Sequence, residues 1–99
     1  MCGAPDQSVS LPAGTDLSKE TVLAGRVVAG GEPVGGAFVR LLDGTGEFTA
    51  EVVASASGDF RFFAAPGTWT LRALSRSGNG EAVLEADAPG LHQTLVAVA

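Results

Sequence analysis

Residues 36–75, GAFVRLLDGTGEFTAEVVASASGDFRFFAAPGTWTLRALS, alternate apolar and other side chains in short runs separated by glycine-rich and proline-rich breaks. In the first run Ala37, Val39 and Leu41 share one phase, with Phe38, Arg40 and Leu42 in the other. Phe60 and Phe62 likewise oppose Arg61 and Phe63, and Trp69, Leu71 and Ala73 oppose Thr70, Arg72 and Leu74. A period of two is that of pleated backbone, whose successive side chains point to opposite faces, and it does not suit a helix. The breaks carry turn chemistry: Asp43 to Glu47 (DGTGE), Ser57-Gly58-Asp59, and Pro66-Gly67.

The pattern extends in both directions. Upstream, Thr21 to Ala29 alternates Leu23, Gly25 and Val27 against Val22, Ala24, Arg26 and Val28, followed by a turn from Gly30 to Pro33. Downstream, Gly78, Asn79 and Gly80 read as a turn into Glu81 to Ala86, and Leu91 to Val98 closes the series. With Phe48 to Ser55 this makes seven strands and no helix, which argues for an all-β, seven-stranded Greek-key β-sandwich. Residues 1–19 show neither periodicity and read as a mobile N-terminal arm, leaving 20–99 as a single sandwich domain.

Composition narrows the function classes. In 99 residues there is room for one core, and 45% hydrophobic against 17% charged residues is the balance of a folding chain. Six Lys and Arg against eleven Asp and Glu give a net charge of -5, which argues against nucleic acid as a partner. Neither a bilayer-spanning apolar run nor a secretory leader is visible, so no membrane is expected and a cytoplasmic location is. One cysteine and one histidine allow neither an intrachain disulfide nor a monomeric zinc site of the usual kind, so no metal or other cofactor is expected. Cys2 and His92 lie at opposite ends of the chain, and their spacing gives no sign of a catalytic dyad.

Two resemblances follow from the motifs. G-R-V from Gly25, E-P-V-G-G-A-F-V-R-L from Glu32, S-G-D-F-R-F from Ser57 and P-G-T-W-T-L from Pro66 resemble, in order and spacing, the carboxypeptidase regulatory-like, transthyretin-like (prealbumin) sandwich. This implies a fold more than an activity, because such a scaffold hosts many functions. It also implies that the strands of Arg40 and Arg72 are neighbours in one sheet, with those of Arg26 and Arg61 in the other. Over its full length, from M-C-G-A-P at Met1 through L-P-A at Leu11 and K-E-T-V at Lys19 to G-D-F-R-F-F-A-A-P-G at Gly58, the chain resembles the DUF1416 family of small actinobacterial proteins. That resemblance implies an accessory role in sulfur metabolism, with a rhodanese-type thiosulfate sulfurtransferase as partner. The hydroxyisourate hydrolases and intradiol dioxygenases built on similar sandwiches need several His or Tyr; one His and no Tyr exclude both here, and no catalytic residue is expected.

Cys2 is the sulfur-carrying candidate. Excision of Met1 would expose a terminal cysteine whose protonated α-amine favours the thiolate, and no second cysteine is present to expel a persulfide. The same amine and thiolate could bind a soft metal, with His92 or a second subunit completing the site, or Cys2 could be an incidental residue of the arm.

Arg26, Arg40, Arg61 and Arg72 occupy the strand phase opposite the core and are candidates to bind an anion or a partner's carboxylates through the planar guanidinium fork. The competing reading is cross-strand pairing with Glu51 and other acids. Phe38, Leu42, Val53, Phe63 and Leu74 share that outward phase, an apolar load that suggests cover by the arm, a partner or a second copy as a homodimer; Phe38 and Phe63 are the interaction-surface candidates. Paired carboxylates such as Glu47 with Glu51, or Glu81 with Glu85, read as solvated faces.

Overall fold

A computed structural model describes residues 14–99. Eight strands follow one another: β1 Thr21–Ala29, β2 Glu32–Pro33, β3 Phe38–Leu42, β4 Phe48–Val53, β5 Asp59–Ala64, β6 Gly67–Ser75, β7 Gly78–Ala86 and β8 Gly90–Ala97. In the first sheet β1 is the hub, paired antiparallel with β2 and β5 and parallel with β8. The second sheet is antiparallel throughout, in the order β4-β3-β6-β7. The two pack as a sandwich, and β7 and β8 close one side of it, where Ala99 N–H donates to the Asn79 carbonyl at 3.3 Å.

The count of seven strands is corrected to eight. Glu32–Pro33, expected as turn, pairs with Val28 and Ala29 as a two-residue strand, a length at which no alternation can be read. Gly78, Asn79 and Gly80, also expected as turn, are the first residues of β7 and pair with Ser75, Leu74 and Ala73. The connection itself is the shorter Arg76–Ser77 pair.

The inner phase is as the alternation indicates. Leu23 and Val27 of β1, Val39 and Leu41 of β3, Phe60 and Phe62 of β5, and Leu71 and Ala73 of β6 form one buried cluster with Val96 of β8. Trp69 packs against its edge, and its indole N–H donates to the Ala65 carbonyl at 2.9 Å, so the ring is anchored and is not displayed as a platform. Two outward-phase residues depart from expectation: Val22 is fully buried and Leu42 only 6% exposed, although neither belongs to the inter-sheet cluster. Leu42 lies at the register shift between β3 and β4, and Val22 lies between its register partners Phe63 and Leu91.

Carboxylates order two of the connections. Asp16 Oδ1 accepts from the Ser18 hydroxyl and from Ser18 N–H at the entrance to β1, and these bonds hold its pKa below 3.8. In the β3–β4 connection Asp43 Oδ1 accepts from the Thr45 hydroxyl at 2.6 Å, Thr45 N–H at 2.9 Å and Glu47 N–H at 3.1 Å. The Thr45 hydroxyl, then the backbone N–H groups of Glu47 and Thr45, hold the Asp43 carboxyl below its ordinary 3.8. A depressed folded pKa means that the stabilisation is present above the unfolded value and is lost as pH falls through the folded one. Thr45→Ala is expected to raise the Asp43 midpoint in a carboxyl carbon-13 titration; an unchanged midpoint would show that the hydroxyl bond contributes nothing.

Candidate functional site

The four arginines are held on the two outer faces of the sandwich. On the first sheet Arg26 and Asp59 are register partners across β1 and β5, with Nε 3.0 Å from Oδ1. Asp59 is largely buried while Arg26 keeps 43% of its side chain exposed, so the guanidinium offers its remaining donors to solvent. Arg61 follows two residues after Asp59 on the same strand face, opposite Ala24. Together with Leu91, Gln93 and Leu95 of β8 they line an open groove of about 500 Å3, left wide by the small outward-facing Ala24 at the centre of β1.

On the second sheet the registers bring Glu51, Arg40, Arg72 and Glu81 into one row across β4, β3, β6 and β7. Arg40 Nε donates to Glu51 Oε2 at 2.8 Å, and Arg72 donates to Glu81. Each arginine beside its like-charged neighbour thus has a carboxylate on its other side. A free anion would have to displace that carboxylate, and such half-exposed cross-strand pairs contribute only about 0–1 kcal/mol each, so displacement is energetically accessible. The expected neighbourhoods are therefore observed, with Arg40 beside Arg72 in one sheet and the strands of Arg26 and Arg61 paired in the other. Direct pairing with acids holds for Arg26, Arg40 and Arg72.

The two candidate phenylalanines are separated. Phe38 is 50% exposed and flanks the charged row on the second sheet, whereas Phe63 is 49% exposed on the opposite face of the sandwich. They do not form one surface. On the second face Phe38 is joined by the exposed Phe48 and Val83, which share a cross-strand row with Leu42 and Thr70. Phe48 follows a glycine turn and Val83 lies in a strand of weak alternation, so neither stood out in the sequence; counting outward-phase positions in β7 would have found Val83.

His92 lies on β8 with Nε2 2.8 Å from the Ala88 carbonyl, which only accepts, so Nε2 carries the proton. Among the described residues no group of three His, Cys, Asp or Glu is placed to hold a metal ion. Cys2, the sulfur-carrying candidate, lies outside the described residues, as do residues 1–13 of the expected arm. No helix among the described residues is long and apolar enough to cross a membrane.

Two four-stranded sheets with paired charges and aromatic side chains on their outer faces define a small β-sandwich protein. The chain belongs to the DUF1416 family, described as a protein of unknown function, whose model matches residues 2–98. Two Mycobacterium tuberculosis relatives, the uncharacterized proteins Rv0814c and Rv3118, are each 65% identical over 99 residues, covering 99% of both chains. An uncharacterized protein of Mycolicibacterium smegmatis is 68% identical over 90 residues, which is 90% of this chain and 100% of that one. Among solved structures, a DUF3823 family protein from Parabacteroides merdae superposes with a TM-score of 0.60 at 18% identity, covering 80% of this chain. This chain spans 45% of that protein's length, and at such identity the likeness concerns the fold alone.

Proposed function

We propose that this protein is a cytoplasmic accessory of sulfur metabolism that accepts or delivers sulfane sulfur as a persulfide on Cys2, in partnership with a rhodanese-type thiosulfate sulfurtransferase. The observation that carries the reading is the single thiol at Cys2, in the M-C-G-A-P segment that forms part of the family resemblance, and it is that resemblance which implies a link to such enzymes. In the transfer step the Cys2 thiolate attacks the terminal sulfur of the partner's persulfide. A new S–S bond forms on Cys2, the old one breaks, and the partner's cysteine leaves as thiolate, with no net oxidation. The protein acts as carrier and not as catalyst, and the sandwich, read as transthyretin-like from its motif order, is the docking body.

The test is the intact mass before and after incubation with a thiosulfate-loaded sulfurtransferase. Gain of one sulfur atom, reversed by reductant and abolished in Cys2→Ser, is the expected result. The same spectra report Met1 removal. No gain from a demonstrably loaded donor overturns the carrier reading for that donor.

A second reading, a noncatalytic interaction module in which Cys2 is incidental, is favoured by the exposed Phe38, Phe48 and Val83 on the second sheet. It predicts that sulfurtransferase binding survives Cys2→Ser and fails on Phe38→Ala. A homodimer formed through this face would show as a concentration-dependent molar mass in light scattering.

A further inference from the structure

Beside Phe38 the outer face of the second sheet ends in a groove of about 590 Å3, where the loop before β3 meets the β6–β7 connection. Phe38 and Leu74, register partners across β3 and β6, line it together with Arg76, Ser77 and Asn79. Two properties distinguish this groove from the one on the opposite sheet. No acidic residue lines it, in a chain whose net charge is -5, whereas Asp59 stands beside Arg26 in the other. Moreover, Arg26, Arg40 and Arg72 each hold a carboxylate, while no such partner is found for Arg76 among the described residues.

The backbone that carries Arg76 is also tied by its neighbours. The Ser75 hydroxyl donates to the Gly78 carbonyl at 2.9 Å and accepts from Ser77 N–H at 3.1 Å, which ties the connection on both sides of Arg76. A guanidinium on a tied turn beside an exposed aromatic ring is the pairing that interface anchors use: a charge-assisted fork for a carboxylate next to apolar contact area.

We propose that this groove docks an acidic, apolar segment of a partner polypeptide. An apolar side chain packs on Phe38 and Leu74, and a neighbouring carboxylate is held by Arg76. The apolar row Val53, Phe38 and Leu74 runs across three strands, about 10 Å, longer than a single small acid would cover. The self-paired Glu51–Arg40–Arg72–Glu81 row borders it on one side, so the acidic end of the segment is directed to Arg76. The proposal does not involve Cys2, so its failure and the failure of sulfur transfer are separately visible.

The test is a nitrogen-15 amide titration of the full chain with the capped peptide acetyl-Glu-Phe-Glu-Leu-Glu-amide and its counterpart with Gln in place of Glu. Saturable shifts confined to residues 34–38 and 74–79 are expected with the acidic peptide. Affinity is expected to fall at least about tenfold, equivalent to about 1.4 kcal/mol, for the Gln peptide or for Arg76→Glu, with an unchanged melting temperature because Arg76 is exposed. Phe38→Ala is expected to weaken binding independently. Absence of saturable shifts, or equal binding of both peptides and of Arg76→Glu, would overturn the proposal. Shifts of the same signals on dilution without peptide would assign the groove to a second copy and overturn it equally.

Discussion

Gly25→Ala is expected to lower the thermal midpoint by on the order of 20 °C or more, a cost of about 4 kcal/mol at the extreme of single substitutions. Gly25 lies in β1, opposite Thr94 of β8 and Phe60 of β5. A Cβ built there would stand 2.0 Å from the Thr94 carbonyl oxygen and 3.0 Å from Phe60 Cζ. The nearer obstacle is backbone. Moving it means moving β8 out of the parallel ladder that runs from Thr21–Gly90 to Val28–Ala97. Gly30→Ala is the control: its φ is 58°, which an L residue adopts at a cost of about 1–2 kcal/mol, but its Cβ would meet nothing within 4 Å. A melting curve for Gly25→Ala no lower than that for Gly30→Ala would show that β1 and β8 can separate without loss, and would sink the prediction.

Gly25 also marks where local pattern stops informing. Alternation places it in the inward phase with Leu23 and Val27, and that phase is the observed one. What alternation does not contain is the identity of the neighbouring strand. That β8, the last strand in sequence, lies parallel to β1 depends on contacts between chain ends, while the period of each run reports only its own two faces. The same limit explains Gly80. Glycines before a strand read as a turn, but a Cβ on Gly80 would be 1.8 Å from the Ala97 carbonyl oxygen and so has no place where β7 meets β8. The residue is glycine for a close approach made within the strand, and the local sequence has no means of distinguishing that from a turn.

For the candidate site, the arginine positions were legible because they follow from strand phase, whereas their partners depend on register. Glu51 faces Arg40 and Glu81 faces Arg72 only once β3 is placed between β4 and β6. Arg76 lies in a connection, where no period assigns it a face. Its chemistry appears only when the loop before β3 is folded against it.

The second large effect is expected at Phe60, the largest of the fully buried side chains at 2% exposure. Phe60→Ala is expected to cost about 3–5 kcal/mol, because the cavity between the sheets removes both the transfer term and the contacts of the ring. One such contact is with Phe62, whose centroid lies 6.2 Å away at an interplanar angle of 57°, within the tilted geometry that aromatic pairs favour. Urea unfolding is the measurement, and a midpoint within about 1 kcal/mol of the parent would show that the two sheets collapse onto the vacancy. Phe60 also separates the two causes at Gly25. If the ring were the obstacle, Phe60→Leu would relieve Gly25→Ala and the pair would couple strongly; with the Thr94 carbonyl the nearer obstacle at 2.0 Å, the double-mutant cycle is expected to show coupling below about 1 kcal/mol. Strong coupling would place the constraint on β1 in the aromatic core, whereas weak coupling places it in the backbone contact between β1 and β8.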